Sequence, residues 1–223
     1  MRTRSVERVP LFSEESTART LTVDTTVPQA PLITSPPQGS YDNDGFFFVL
    51  GTAEPGAKVE LFEDTASKGT TTAGSDGRWS FALSGLSEGS HSFKAKATDE
   101  AGNTSAESDA RTVMVDTTAP TVKRVVPLED ATGISPGVNV SAYFSEAMRA
   151  KSVKSSFKLY KKGSTTPLDA TVTYDADTKK AVLDPRASLE RGATYKALVT
   201  TGAKDLAGNP LSQQKVWFFT INQ

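Results

Sequence analysis

Val23-Asp24-Thr25-Thr26-Val27-Pro28 recurs, 92 residues on, as Val115-Asp116-Thr117-Thr118-Ala119-Pro120. That spacing is about the length of one small β-sandwich module. A strand-like run precedes each copy, a proline ends it, and strand-like runs resume beyond it. Proline pushes its predecessor into extended backbone, so residues 117–120 read as a short, stiff linker. The repeat therefore reads as the connection between beads of an array.

Working outward from the linker, the dominant pattern is period-two alternation. Trp79, Phe81 and Leu83 alternate with Arg78, Ser80 and Ala82. Phe93, Ala95 and Ala97 alternate with Ser92, Lys94 and Lys96. Val138, Val140, Ala142 and Phe144 follow the rule, as do Tyr195, Ala197 and Val199. Such strands bury one face, as in antiparallel sandwiches. Turn chemistry punctuates them at Glu54-Pro55-Gly56, Asp76-Gly77, Ala101-Gly102-Asn103, Arg191-Gly192 and Ala207-Gly208-Asn209.

Strands are expected near 31–35, 45–51, 57–63, 68–73, 77–83, 89–98 and 104–115. A second set is expected near 121–126, 138–144, 155–161, 168–174, 179–184, 193–201 and 214–221. Residues 145–153 lack alternation and are predicted to form a helical turn. The fold class is all-β: two tandem Ig-like antiparallel β-sandwiches joined by a short linker. The division is residues 1–20 as a flexible N-terminal segment, 21–28 as a linker from a preceding module, 29–118 as the first sandwich and 119–223 as the second.

Composition narrows the function classes. Lys plus Arg is 25 and Asp plus Glu is 26, leaving a formal net charge of −1. That balance carries no basic excess for nucleic acid. With no Cys, there is no disulfide framework and no thiolate metal site. The single His rules out a His-rich metal centre. No apolar run approaches a membrane span, and the charged N-terminus lacks the apolar core of a signal peptide. An export signal is expected outside these residues.

Two decoys are set aside. Gly85-Leu86-Ser87-Glu88-Gly89 fits G-x-S-x-G, with His91 two residues on. A nucleophile elbow needs strand, sharp turn and helix, whereas both flanks here are β-patterned. Ser87 is expected in a hairpin loop, and no catalytic residue is assigned. Lys151, Lys154, Lys158, Lys161 and Lys162 read as a solvated face that discourages edge pairing.

Carboxylates supply the candidate site. In Ig topology the linker, the second-to-third strand loop and the sixth-to-seventh strand loop meet at one pole. The first module places Asp24, Glu54, Asp99 and Asn103 there; the second places Asp116, Glu146, Asp205 and Asn209 there. Gathered carboxylates repel unless a cation joins them, and hard oxygen ligands from loops suit Ca²⁺. Each set is a candidate Ca²⁺ site that would clamp linker to module. The competing reading makes D-x-A-G-N a tight hairpin whose Asp caps its own backbone, with the glutamates solvated.

Gly51-Thr52-Ala53-Glu54-Pro55-Gly56-Ala57-Lys58-Val59, Asp76-Gly77-Arg78-Trp79-Ser80-Phe81 and Ala97-Thr98-Asp99-Glu100-Ala101-Gly102-Asn103 resemble the bacterial Ig-like repeats of surface adhesins. Phe144-Ser145-Glu146-Ala147-Met148, Val172-Thr173-Tyr174-Asp175 and Lys204-Asp205-Leu206-Ala207-Gly208-Asn209-Pro210-Leu211 resemble the Ig-like domain of S-layer and other bacterial surface proteins. The resemblance implies secretion or a cell-surface location, no intrinsic catalysis, and Ca²⁺ at module junctions. It implies a structural spacer or adhesion module whose partners are neighbouring Ig-like modules in the same chain. The expected state is a monomer without nucleic acid or membrane insertion. Alternatives are a module binding extracellular carbohydrate or protein, with Tyr41, Tyr143 and Tyr160 as candidate aromatics, or an accessory region of an exported polysaccharide-active enzyme.

Overall fold

The computed structural model describes residues 20–223. The expected flexible N-terminal segment, apart from Thr20, lies outside the described residues.

The first module runs β1 (Leu32–Ser35), β2 (Ser40–Asp42), β3 (Phe47–Thr52), β4 (Lys58–Glu63), β5 (Ala66–Thr72), β6 (Arg78–Leu83), β7 (Gly89–Thr98) and β8 (Arg111–Val115). The second runs β9 (Val122–Val126), β10 (Ala131–Ile134), β11 (Val140–Phe144), α1 (Ala150–Ser156), β12 (Phe157–Lys161), β13 (Ala170–Asp175), β14 (Lys180–Pro185), β15 (Thr194–Val199) and β16 (Lys215–Ile221).

Each module is a sandwich of two sheets. The first pairs a β1-β3-β6 sheet with a β2-β8-β7-β4-β5 sheet; the second pairs β13-β14-β11-β9 with β10-β16-β15-β12. The predicted alternation is what fills the space between them. Ile33, Val49, Trp79 and Leu83 come from one sheet of the first module, and Val59, Leu61, Phe93, Ala95 and Val113 from the other. Val140, Ala142, Phe144, Ala181 and Leu183 meet Phe157, Leu159, Ala197, Trp217 and Phe219 in the second. The two cores are separate clusters, so each module buries its own apolar faces.

Four details depart from the sequence reading. First, each sandwich contains one parallel pair, β2 with β8 and β10 with β16. The opening segment starts in one sheet and crosses to the other, through Pro36 and Pro37 in one module and Pro127 in the other. Second, that crossing creates two short strands, β2 and β10, where one opening strand was expected.

Third, of the expected strand at 104–115, only Arg111–Val115 is ladder. Upstream of it, Ser105 and Ser108 each accept through Oγ from the N–H of Ala97 and Ala95, and donate their own N–H to the same residues' carbonyls. Residues three apart cannot match partners two apart in a regular ladder, so hydroxyls fill the gap. Fourth, the helix is Ala150–Ser156, and residues 145–149 are irregular. Those residues hydrogen-bond to other loops: Met148 forms a bridge with Asp205, and Arg149 N–H donates to Lys204 O at 2.8 Å.

Candidate metal centre at the module junction

The linker is sewn to both modules. Asp116 N–H donates to Asp42 O at 2.9 Å, on the first module. On the second, Ser145 N–H donates to Thr121 O at 2.9 Å, and Thr121 N–H donates to Ser145 Oγ at 3.0 Å. Ser212 N–H reaches Pro120 O at 2.9 Å, and Asn209 Nδ2 reaches Asp116 O at 2.6 Å. Asp116 caps its own turn by accepting Thr118 N–H at 3.1 Å.

Glu88 is a component that sequence reasoning missed. It lies inside the G-x-S-x-G decoy, in the turn that starts β7. Its Oε2 accepts from Thr117 N–H at 3.0 Å and Thr117 Oγ1 at 2.6 Å; its Oε1 accepts from Thr118 Oγ1 at 2.9 Å. These donors, the Thr117 hydroxyl first, push its carboxyl down to about 2. The register could have pointed to it, because Gly89 pairs with Val115 at the start of the linker. Beside it, Ser87 gives its backbone carbonyl, 2.8 Å from His91 Nε2, while His91 Nδ1 meets Glu63. A strand starts at Gly89, so the strand–turn–helix of a nucleophile elbow is not formed.

The structure draws Asp116, Glu146 and Asp205 to one point. Each offers a carboxylate oxygen, and these atoms lie within 4.8 Å of one another. The loop of Glu146 is fixed beside that of Asp205 by the Met148–Asp205 bridge and by Arg149 donating twice to Leu206 O, and it is held to β13 by Tyr174 accepting Met148 N–H at 2.8 Å. Asp205 is 0% exposed. Its Oδ1 accepts from Gly208 N–H at 2.7 Å and Asn209 N–H at 2.9 Å, whereas its Oδ2 is buried with no partner. Burial raises the Asp116 carboxyl above its ordinary value, against the Thr118 N–H, and negative Asp205 and Glu88 raise it further. Glu146 is raised in the same way, chiefly by burial, with Ser145 and Lys179 opposing and Asp116 and Asp205 reinforcing. An open cleft of about 430 Å³ adjoins the cluster, lined in part by Tyr41, Met114, Glu146 and Leu206.

At the first module's pole the linker is held by the same device. Asn103 Nδ2 donates to Asp24 O at 3.1 Å, and Asp24 accepts Thr26 N–H at 2.9 Å. The acids behave otherwise. Asp99 Oδ1 accepts Asn103 N–H, and its Oδ2 accepts Asn103 Nδ2 at 2.8 Å, so both oxygens have partners. Glu54 and Asp24 are exposed. Among the described residues the carboxylates of Asp24, Glu54 and Asp99 do not converge as the other three do. The loop of Glu54 is tied to the turn after β5, through Gly56 N–H to Ala73 O and Ala53 N–H to Gly77 O. Among the described residues no hydrogen bond ties it to the loop of Asp99.

Residues 116–221 match a family model described as Bacterial Ig-like domain, and residues 47–117 match a second model of the same description. The chain belongs to the bacterial Ig-like domain proteins, with one such domain in each module. Among solved structures, the N-terminal part of the bacterial S-layer protein SbsC is 23% identical, with a TM-score of 0.37, over 47% of this chain and 24% of that one. A fibronectin(III)-like module structure of Clostridium thermocellum CbhA is 19% identical, with a TM-score of 0.32, over 39% of this chain and 95% of that one. The Bacteroides ovatus mixed-linkage glucan utilization locus protein SGBP-B is 18% identical, with a TM-score of 0.29, over 85% of this chain and 47% of that one. The chain thus spans about a quarter of the S-layer chain it matches. No curated protein matches it.

Proposed function

We propose that these modules form a stiff spacer in a bacterial cell-surface or secreted multidomain protein, with Ca²⁺ locking their junction. The observation that carries this reading is Asp205 Oδ2, fully buried and unpartnered in a cluster of three carboxylates. A buried charged oxygen without a donor is costly. A divalent cation would supply the missing partner and cancel the repulsion in one step. The donor set is all oxygen, which favours Ca²⁺ or Mg²⁺ over soft metals, and loop-borne carboxylates favour the larger ion. Asp116, Glu146 and Asp205 would hold it. Asn209 spends its amide on the Asp116 carbonyl and so positions the linker.

Locking matters because linker and both modules meet here: Asp116 belongs to the linker, while Glu146 and Asp205 belong to loops of the second module. Melting with Ca²⁺ and with chelator, together with small-angle scattering, tests the reading. The expected result is a higher melting temperature and a narrower spread of interdomain distances with Ca²⁺. Identical melting and identical scattering would refute it.

A ligand-binding module is the second reading. Tyr143 does not serve it, since Arg124 lies 3.8 Å over its ring. Phe46, Phe48 and Leu50 are exposed instead, the two rings edge to face at 5.5 Å. Retardation in polysaccharide-loaded gels, abolished by Phe46→Ala with Phe48→Ala, would support it.

A further inference from the structure

The protein has one His, and it sits at the end of the first sandwich from which the linker leaves. His91 is 8% exposed, on the inward face of β7, two residues from the Gly89–Val115 pair. Its ring stacks on Phe93 at 6.3 Å. Nδ1 meets the Glu63 carboxylate on β4, and Nε2 lies 2.8 Å from the Ser87 carbonyl. A carboxylate and a carbonyl only accept, and a neutral imidazole carries one N–H, so the imidazolium alone can donate to both. Glu63 also holds Lys68 on β5 at 2.9 Å. The cross-strand partner on β8 is Val113, and the facing sheet sends in Phe47, Val49, Trp79 and Leu83, none of them charged.

Ser87 belongs to a stretch with no ladder of its own. Residues 84–88 link β6 to β7, and among the described residues their backbone is tied at two points. Leu86 N–H reaches Gly45 O at 3.4 Å, and the Ser87 carbonyl takes His91. The next residue is Glu88, which holds Thr117 N–H, Thr117 Oγ1 and Thr118 Oγ1 of the linker. Contacts therefore run from Glu63 through His91, Ser87 and Glu88 to the linker. A carboxylate is a stronger acceptor than a peptide carbonyl, so a ring that loses one proton keeps the one facing Glu63. Nε2 then turns a lone pair on the Ser87 carbonyl, and the shorter of the loop's two ties is gone.

We infer that His91 is a proton switch on junction stiffness: protonated, it anchors residues 84–88 and, through Glu88, the linker; neutral, it lets both loosen. Burial works against its charge, but the Glu63 carboxylate and the Ser87 carbonyl overcome it, with Lys68 opposing weakly, and the ring titrates above its ordinary 6.5. Glu63 is lowered in turn, by His91 first and Lys68 second. The anchor is thus complete below pH 6.5 and is lost as pH rises through the folded value. The switch gives the spacer reading a regulator, and no metal ligand takes part in it.

The test uses the full chain in chelator, where success or failure of the Ca²⁺ reading has no bearing, from about pH 5.5 to about pH 9. The single imidazole gives an unambiguous NMR titration. Hydrogen exchange, corrected for its intrinsic pH dependence, reports the Thr117 N–H held by Glu88. The expected result is that Thr117 protection falls about fivefold with the midpoint of His91, and that scattering broadens the interdomain distances over the same range. Glu63→Gln should lower the His91 midpoint and carry the Thr117 midpoint down with it. Thr117→Val with Thr118→Val changes no charge, yet coupling is reciprocal, so it should lower the His91 midpoint by a few tenths of a unit. Thr117 protection that stays flat across the His91 titration, a Thr117 midpoint unmoved in Glu63→Gln, or a His91 midpoint unmoved in the double valine variant overturns the inference.

Discussion

Replacing Asp205 by Asn separates the cation reading from a purely structural one, because the two predict opposite signs. In the metal-free protein, Asn keeps an oxygen for the N–H groups of Gly208 and Asn209. Its amide then stands where Oδ2 has no partner and can donate to Asp116 or Glu146. It also removes one of three like charges. At 4.8 Å, a pair of unit charges repels by about 3.5 kcal/mol at an effective dielectric of about 20, and by about 1 kcal/mol in water. Asp116 and Glu146 are only half-buried, so screening brings the relief to about 1–2 kcal/mol. For a module of about 100 residues that raises melting by roughly 4–8 °C. With Ca²⁺ at a hundredfold excess over its dissociation constant, the parent gains about 2.7 kcal/mol, or roughly 11 °C, and Asp205→Asn gains little. Scanning calorimetry should therefore show the curves crossing: the variant is more stable in chelator, the parent more stable in Ca²⁺. A variant less stable in both buffers, with the Ca²⁺ shift retained, would refute the reasoning.

Three other outcomes follow from the same geometry. Asp116 and Glu146 have folded values above their ordinary 3.8 and 4.5, so their protonated forms suit the folded junction. In chelator they add stability as pH falls into that range, and the gain is lost as pH rises through their folded values. Protons compete with the cation there, so the Ca²⁺ shift should shrink from about pH 7 to about pH 4; a shift constant across that range, or unchanged in Glu146→Gln, counts against the site. Glu88→Ala removes the grip on Thr117 and Thr118, so scattering should broaden the interdomain distances while both melting transitions stay put. Phe93→Ala should cost about 3–5 kcal/mol and lower the first module's transition alone, since the second core is a separate cluster.

The sandwiches were legible because their signal is local: alternation in β7 and β15 sets the buried faces, and turn residues set the lengths. The linker was legible because it repeats. The two acidic poles looked alike in sequence, since Glu54 and Glu146 share the 92-residue offset of Asp24 and Asp116. They differ in space, and the cause is backbone hydrogen bonding. Residues 145–149 bond to the loop of Asp205, while residues 53–56 bond to the turn after β5. No residue type reports that choice. Glu88 was hidden for a related reason: its role depends on β7 and β8 bringing Gly89 opposite Val115, a pairing between residues 26 apart. The helix was displaced from 145–153 because propensity carries no information about which loop a segment will bond to.

The parallel pairs have a mechanical consequence. In each module an opening strand lies beside the final strand and runs the same way: β2 along β8, β10 along β16. Tension applied to the two ends of a module drags such neighbours past each other lengthwise. The bonds flanking them, Gly39 N–H to Thr112 O and Asp116 N–H to Asp42 O, with Asp130 N–H to Phe218 O and Asn222 N–H to Ile134 O, are then loaded together instead of one at a time. A module built this way resists pulling by shear, and the junction bond from Asp116 to Asp42 lies on the line of such a force.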